Sequence, residues 1–280
     1  NGQNAATDAP RSYIYLPNGT YDLKETVLTT IGGHNISLIG ESQEGVIIKN
    51  APHYTKESIN NTATLKNTGT GNYFQDLTIQ NALDYYGAQA AGLDGGRAVA
   101  LWDTGTKTIC KNVKMLSYQD TYYTNNANGE YYWETSDIHG TVDFICGEGT
   151  LFMENSTLTL EKRKADGSGE NTLTAPSTGA DKTIGYVFNN CTIDNTCGSS
   201  YNLGRAWNNA PRCAYINTTM TDAGKLSANR WTLKGMNTEP AKAFVEHNTK
   251  DANNVVISPK SHIVTFTASK SDKTNPDFEA

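Results

Sequence analysis

Residues 110–145 read CKNVKMLSYQDTYYTNNANGEYYWETSDIHGTVDFI. The stretch says one phrase twice. Cys110-Lys111-Asn112-Val113-Lys114-Met115 is an apolar residue, a polar pair, then apolar alternation. Trp133-Glu134-Thr135-Ser136-Asp137-Ile138 repeats it 23 residues later. Eight residues beyond Asn112 stands Asp120, and eight beyond Thr135 stands Asp143. A phrase that returns at the length of one short coil marks a solenoid, in which no repeat buries its apolar face alone and each stacks on the next.

The phrase recurs on both sides, around Phe74-Gln75-Asp76, Met153-Glu154-Asn155, Phe188-Asn189-Asn190 and Tyr215-Ile216-Asn217. Taking Asp76, Asn112, Thr135, Asn155, Asn190 and Asn217 as equivalent gives intervals of 36, 23, 20, 35 and 27 residues. The short ones fit one coil and the long ones a coil with an inserted loop. Strand-like runs separated by Gly, Asn, Asp and Ser clusters fill the chain. They include Ser12–Leu16, Ile36–Ile39, Val46–Lys49, Tyr73–Gln80, Ala98–Trp102, Ile109–Leu116, Tyr131–Thr135, Leu151–Leu160, Thr183–Ile193 and Ile263–Thr267. Helical periodicity is confined to Glu239–His247. Asn4–Pro10 reads as a helix end stopped by proline, so the chain is expected to begin inside an element, with its N-terminal cap truncated. The expected fold is all-β: a parallel β-helix solenoid with long loops on one face, one domain over residues 1–280. A β-sandwich is the alternative, and would show more hairpin turns of the kind suggested by Asn18-Gly19 and Asn128-Gly129.

Equal phase puts Asp120 and Asp143 at the same place on consecutive coils, with backbones about 4.8 Å apart and side chains on one face. Two carboxylates so close do not both ionise readily, and they titrate as a unit. Such a pair can divide nucleophilic and acid/base work. The flanking Tyr118, Tyr122, Tyr123, Val142, Phe144 and Ile145 are too apolar for an ordinary solvated ladder.

The 280 residues suffice for a sizeable core. No run approaches the roughly 18 apolar residues of a membrane span. A net charge of -6 argues against nucleic acid as the partner. The five cysteines lack CxxC spacing, which disfavours zinc. Cys110, Cys146, Cys191 and Cys213 read as buried thiols, and Cys191–Cys197 is the one pair that could close a short loop. His34, His53, His139, His247 and His262 show no triad or metal spacing. Ser117 and Ser136 lack a Gly-x-Ser-x-Gly setting, which disfavours a serine esterase.

Five further segments carry a resemblance. They are Tyr13–Tyr21, Gly96-Arg97-Ala98-Val99-Ala100-Leu101, Gln119-Asp120-Thr121, Gly140–Gly147 and Leu203-Gly204-Arg205-Ala206-Trp207. In this order, over about 200 residues, the chain resembles the pectin methylesterases, fading after Trp231. Their motifs read QAVAL, QDT, GTVDFIFG and LGRPW. The resemblance implies a right-handed, single-stranded parallel β-helix that hydrolyses galacturonate methyl esters without metal or cofactor. It implies Asp143 as nucleophile, Asp120 as general acid then base, Gln119 as oxyanion donor and Arg205 as the residue that orients Asp143. It further implies substrate contacts at Trp207, Tyr122, Phe144 and Val142. Arg205 is expected to lower the pKa of Asp143 and so leave the proton on Asp120. Pectin is the implied partner of a monomeric protein exported to the periplasm, cell surface or medium.

Three positions depart from the family pattern. Arg97 stands where QAVAL has glutamine, and is a candidate for oxyanion or substrate contact. Ala206 replaces the proline of LGRPW, and Thr124–Glu130 lengthens the interval between the aspartates by about two residues. Two other functions compete. One is a β-helix glycoside hydrolase of pectin, whose carboxylate spacing would set retention or inversion. The other is an inactive carbohydrate-binding β-helix. A lyase is disfavoured because no acidic cluster is dense enough for calcium.

Overall fold

The computed structural model describes residues 4–52, 58–92, 96–232, 241–259, 263–264 and 277–278. Its strands lie in an 18-stranded and a 7-stranded sheet, and nearly all pair in parallel. Each central coil contributes two strands to the large sheet and one to the small. One coil runs Glu130–Glu134, Asp137–Gly140 and Val142–Gly147. The next runs Thr150–Glu154, Thr157–Leu160 and Glu170–Pro176 and stacks on it in register. This is a parallel β-helix.

The repeated phrase is the corner of the coil. Asp76, Asn112, Thr135, Asn155, Asn190 and Asn217 all adopt left-handed backbone, with φ of 53°, 51°, 53°, 49°, 51° and 51°. Asn248 continues the series at 51°. Short polar side chains tolerate this region better than others and can hydrogen-bond locally. Here they bond from coil to coil: Asn112 Nδ2 donates to Asp76 Oδ1 at 2.6 Å, and Asn248 Nδ2 to Asn217 Oδ1 at 2.8 Å. The same corner divides two runs that the sequence reads as continuous. Leu151–Leu160 is two strands parted at Asn155, and Thr183–Ile193 covers Tyr186–Asn189 and the start of Thr192–Asp194, parted at Asn190.

Inside the coils, Phe74, Cys110, Trp133, Met153, Phe188 and Tyr215 form one column in register, each at most 1% exposed. Phe188 and Tyr215 stack with centroids 4.7 Å apart. The next member is Glu246. Its buried carboxylate accepts from Arg230 Nε and Nη2, both at 2.5 Å, and from Thr249 Oγ1 at 3.1 Å. A buried charge of this kind persists only when paired and hydrogen-bonded.

The helix expected over Glu239–His247 is not formed where that segment is described. Ala243–His247 is a strand paired in parallel with Arg212–Ile216. Its burial alternates, with Phe244 and Glu246 inward, so the two-residue period of the stacked coil overrides a short helical pattern. Residues 239–240 lie outside the described residues, as do 265–267 of the run expected over Ile263–Thr267. Asn4–Pro10 forms turns and bends rather than a helix end. The one α-helix among the described residues, Tyr85–Ala90, was not expected; Asp84 caps it by accepting from the Gly87 amide. None of the five cysteines is in a disulfide, Cys191 and Cys197 included.

Candidate active site

Both aspartates sit where the strand register of the small sheet shifts by one residue. Between Arg97↔Gln119 and Leu101↔Tyr122 the earlier coil holds one more residue than the later. Between Val142↔Thr172 and Ile145↔Thr174 the extra residue lies on the Val142–Ile145 side. Asp143 occupies its bulge and Asp120 lies opposite the other, with φ of 50° and 58°. A bulge re-aims a side chain and interrupts pairing, and bulges gather beside functional sites. The coils remain tied around them, with Asp120 N donating to Val142 O at 3.1 Å and Thr141 N to Tyr118 O at 2.7 Å. Two glycines permit the close approach. A Cβ on Gly140 would collide with the Phe144 side chain, and one on Gly147, at φ 115°, with the Thr124 carbonyl.

The aspartates open on a cavity of about 350 Å³ whose walls include Arg97, Gln119, Asp120, Asp143, Cys146, Arg205 and Trp207. Asp120 and Asp143 are only 3% and 5% exposed. Arg205 grips Asp143 bidentately, Nε to Oδ1 at 2.9 Å and Nη2 to Oδ2 at 2.6 Å. Such a fork fixes the carboxylate plane and favours its charged form. Arg97 Nε lies 3.5 Å from Asp120 Oδ2, a looser pair.

The protonation balance differs from the sequence-based expectation. Burial raises the pKa of Asp143 above the ordinary carboxylate value, while Arg205 first, then Arg163 and Arg97, pull it down without cancelling the rise. Almost complete removal from water outweighs the clamp. Asp143 is therefore a more basic carboxylate than the expected Arg205-dominated one.

The cavity brings together Asp120, Asp143, Gln119, Arg205, Arg97 and Trp207. Tyr122 and Phe144 are not part of it. Both are fully buried in the core, and Tyr122 Oη donates to Asp103 Oδ2 at 3.2 Å. Val142 is 6% exposed and does not line the cavity. Side chains alternate along the small-sheet strands, so Tyr123 rather than Tyr122 faces outward. Tyr123 packs between Trp102 and Trp207, with centroids at 5.8 and 6.0 Å. Cys146 occupies the equivalent outward place one coil on. Sequence reading missed Tyr123, Trp102, Cys146 and Arg163. Counting alternation onward from each left-handed aspartate, shifted by one residue, would have found the first and third. Arg163 lies on a loop beyond any such count.

A parallel β-helix with two left-handed aspartates on adjacent coils, one clamped by arginine, defines the class of protein. The comparisons narrow it. Residues 3–248 match the pectinesterase family, and the chain belongs to that family. Pectinesterase A of Dickeya dadantii is 32% identical over 216 residues, covering 69% of this chain and 57% of the relative. A relative from Arabidopsis thaliana is 30% identical over 236 residues, 78% of this chain but 36% of its own length. The chain thus spans less than two thirds of these curated relatives. Among solved structures, a pectin methylesterase in complex with a hexasaccharide superposes with a TM-score of 0.75 at 26% identity, covering 91% of this chain and 84% of that one. Pectin methylesterase PemA from Erwinia chrysanthemi gives 0.73 at 25% identity, covering 91% and 84%.

Proposed function

We propose that this chain hydrolyses methyl esters of galacturonate in pectin, releasing methanol. The observation that carries the reading is the bidentate Arg205–Asp143 pair beside Asp120 on the adjacent coil. An Asp143 oxygen, aimed by Arg205, attacks the C6 carbonyl and the carbonyl π electrons move to oxygen. The Gln119 side-chain amide donates to that oxyanion. The carbon–methoxy bond then breaks, Asp120 gives its proton to the departing oxygen, and methanol leaves an acyl-Asp143 anhydride. Asp120, now a carboxylate, takes a proton from water as the hydroxyl attacks the anhydride carbonyl. The galacturonic acid departs and loses its proton to solvent, Asp143 is regenerated as a carboxylate and Asp120 is again protonated. The basic character that burial gives Asp143 suits a nucleophile, provided the pH keeps it ionised.

Trp207, beside Tyr123, offers an aromatic surface for a sugar ring. We take the chain to act as a monomeric single domain outside the cell, where polymeric pectin lies. Supplying highly methylated pectin and assaying methanol and reducing ends tests the activity. Methanol without new reducing ends is the expected result; new reducing ends would show backbone cleavage instead, and neither product would show an inactive fold.

A further inference from the structure

The one α-helix among the described residues touches the turns that carry the paired aspartates. Tyr85, its first residue, is 1% exposed. The ring lies flat on Tyr118, with centroids 4.4 Å apart and planes 3° apart. Tyr118 stands two residues before Asp120, and its carbonyl accepts from Thr141 N, two residues before Asp143. The Tyr85 hydroxyl reaches the same place. With its proton on the Arg163 carbonyl at 3.3 Å, it accepts from Thr141 Oγ1 at 3.3 Å and from Arg163 Nη1 at 3.0 Å. A buried hydroxyl satisfied on every side is a fixed point. Two more side chains of the helix hold the Arg163 loop by its backbone. Tyr86 Oη donates to the Lys162 carbonyl at 2.9 Å, and Gln89 Nε2 to the Arg163 carbonyl at 3.1 Å. The guanidinium is thus held beside Thr141, and from there its charge acts on Asp143.

We propose that Tyr85 is a positioning residue, which holds the Arg163 guanidinium beside the Asp143 turn as a second cation for the nucleophile. The inference rests on the demethylation reading and deepens it. Arg205 aims the Asp143 carboxylate by direct contact, and Arg163 adds charge. The other charged or titratable groups about Asp143 are Arg97, Asp120 and Cys146. On the loop itself, Glu161 is engaged by His139 at 2.7 Å, and Lys162 and Lys164 flank Arg163. A cation held near a carboxylate favours its charged form, and an arginine released into water does so far less. Losing the Tyr85 hydroxyl therefore makes the nucleophile harder to ionise.

The test takes kcat/KM for methanol release against pH in the wild type, Tyr85→Phe, Arg163→Gln and the double variant. Tyr85→Phe keeps the ring on Tyr118 and removes only the hydroxyl. Its acid limb is expected to move to higher pH. On that limb kcat/KM should fall about threefold, the scale of one partly exposed charge interaction, and fall less at each pH above it. Arg163→Gln is expected to move the limb at least as far, and the double variant no farther than Arg163→Gln alone. An unmoved limb in Tyr85→Phe would overturn the proposal. So would the same fractional loss at every pH, which marks a merely structural role. Full additivity in the double variant would also overturn it, because Tyr85 would then not act through Arg163. A second measurement stands without turnover: a carbon-13 NMR titration of the aspartate carboxyl signal that disappears in Asp143→Asn. Its midpoint is expected to rise in Tyr85→Phe and in Arg163→Gln. Equal midpoints in the three proteins overturn the proposal, whether or not the wild type releases methanol and the demethylation reading holds.

Discussion

Asp143 is pulled in two directions, upward by burial and downward by the Arg205 fork, and burial prevails. The consequence is directional. As the proposed nucleophile, Asp143 would attack only when ionised, so activity should be lost as the pH falls through its raised pKa. Replacing Arg205 by lysine exchanges a two-bond planar fork for a single point charge and weakens the downward pull. The acid limb of kcat/KM for methanol release should therefore move to higher pH in Arg205→Lys. A pH–rate profile checks this, and a limb that stayed in place or moved down would show that the clamp does not hold the charge. At this scale the sequence was legible in placement, since Asp120, Asp143, Gln119 and Arg205 line one cavity. It failed at Tyr122 and Phe144. The left-handed backbone at each aspartate shifts the alternation by one residue, and inward or outward parity follows that kink rather than the neighbouring motif.

The recurring element is the coil corner, and its residues show why the repeat was readable. Each corner demands φ near 50°, a demand that Asn and Asp meet at low cost, so the composition repeats even where intervals range from 20 to 36 residues. Thr135 is the exception, a β-branched residue at φ 53° in a series otherwise held by Asn and Asp. Its side chain is exposed and its amide donates to the Glu154 carbonyl at 3.1 Å, a bond any residue there keeps. Thr135→Asn should therefore stabilise the protein by about 1 kcal/mol, from relief of the left-handed strain. Urea unfolding of the two proteins measures it; no gain in midpoint would show that the corner tolerates threonine without strain. What was not readable at this scale was the Ala243–His247 strand. Five residues are too few to separate the two periods, and the decision comes from stacking on Arg212–Ile216.

Across the whole molecule, stability comes from coils stacking on coils, and charged ladders outside the sheets add a pH-sensitive part. His139 bridges two such carboxylates, Nε2 to Asp137 at 2.9 Å and Nδ1 to Glu161 at 2.7 Å. Lys114 and Thr159 also face Asp137, at 3.7 and 2.7 Å. Burial works against a charged imidazole here, yet the hydrogen bonds to Asp137 and Glu161 push its pKa up to about 9. A histidine raised above its unfolded value gives stability that is full below about pH 6.5 and is lost as the pH rises through about 9. The amount is on the order of 2 kcal/mol, discounted for the partly exposed carboxylates. Denaturant unfolding at pH 6, 8 and 10 should show this decline in the wild type and a flatter profile in His139→Gln; parallel profiles would contradict the bridge.

The solenoid itself was legible from one repeated phrase because stacking forces every coil to solve the same packing problem. The loops that dress it, including the Tyr85–Ala90 helix and the segment bearing Arg163, obey no period and so left no trace in the repeat. The central claim is that Asp143 is the nucleophile, and replacing it tests that most directly. Asp143→Ala, shown by circular dichroism to keep its β signature, should release methanol from highly methylated pectin at least about a thousandfold more slowly than the parent. A folded Asp143→Ala protein that released methanol at the parent rate would contradict the account.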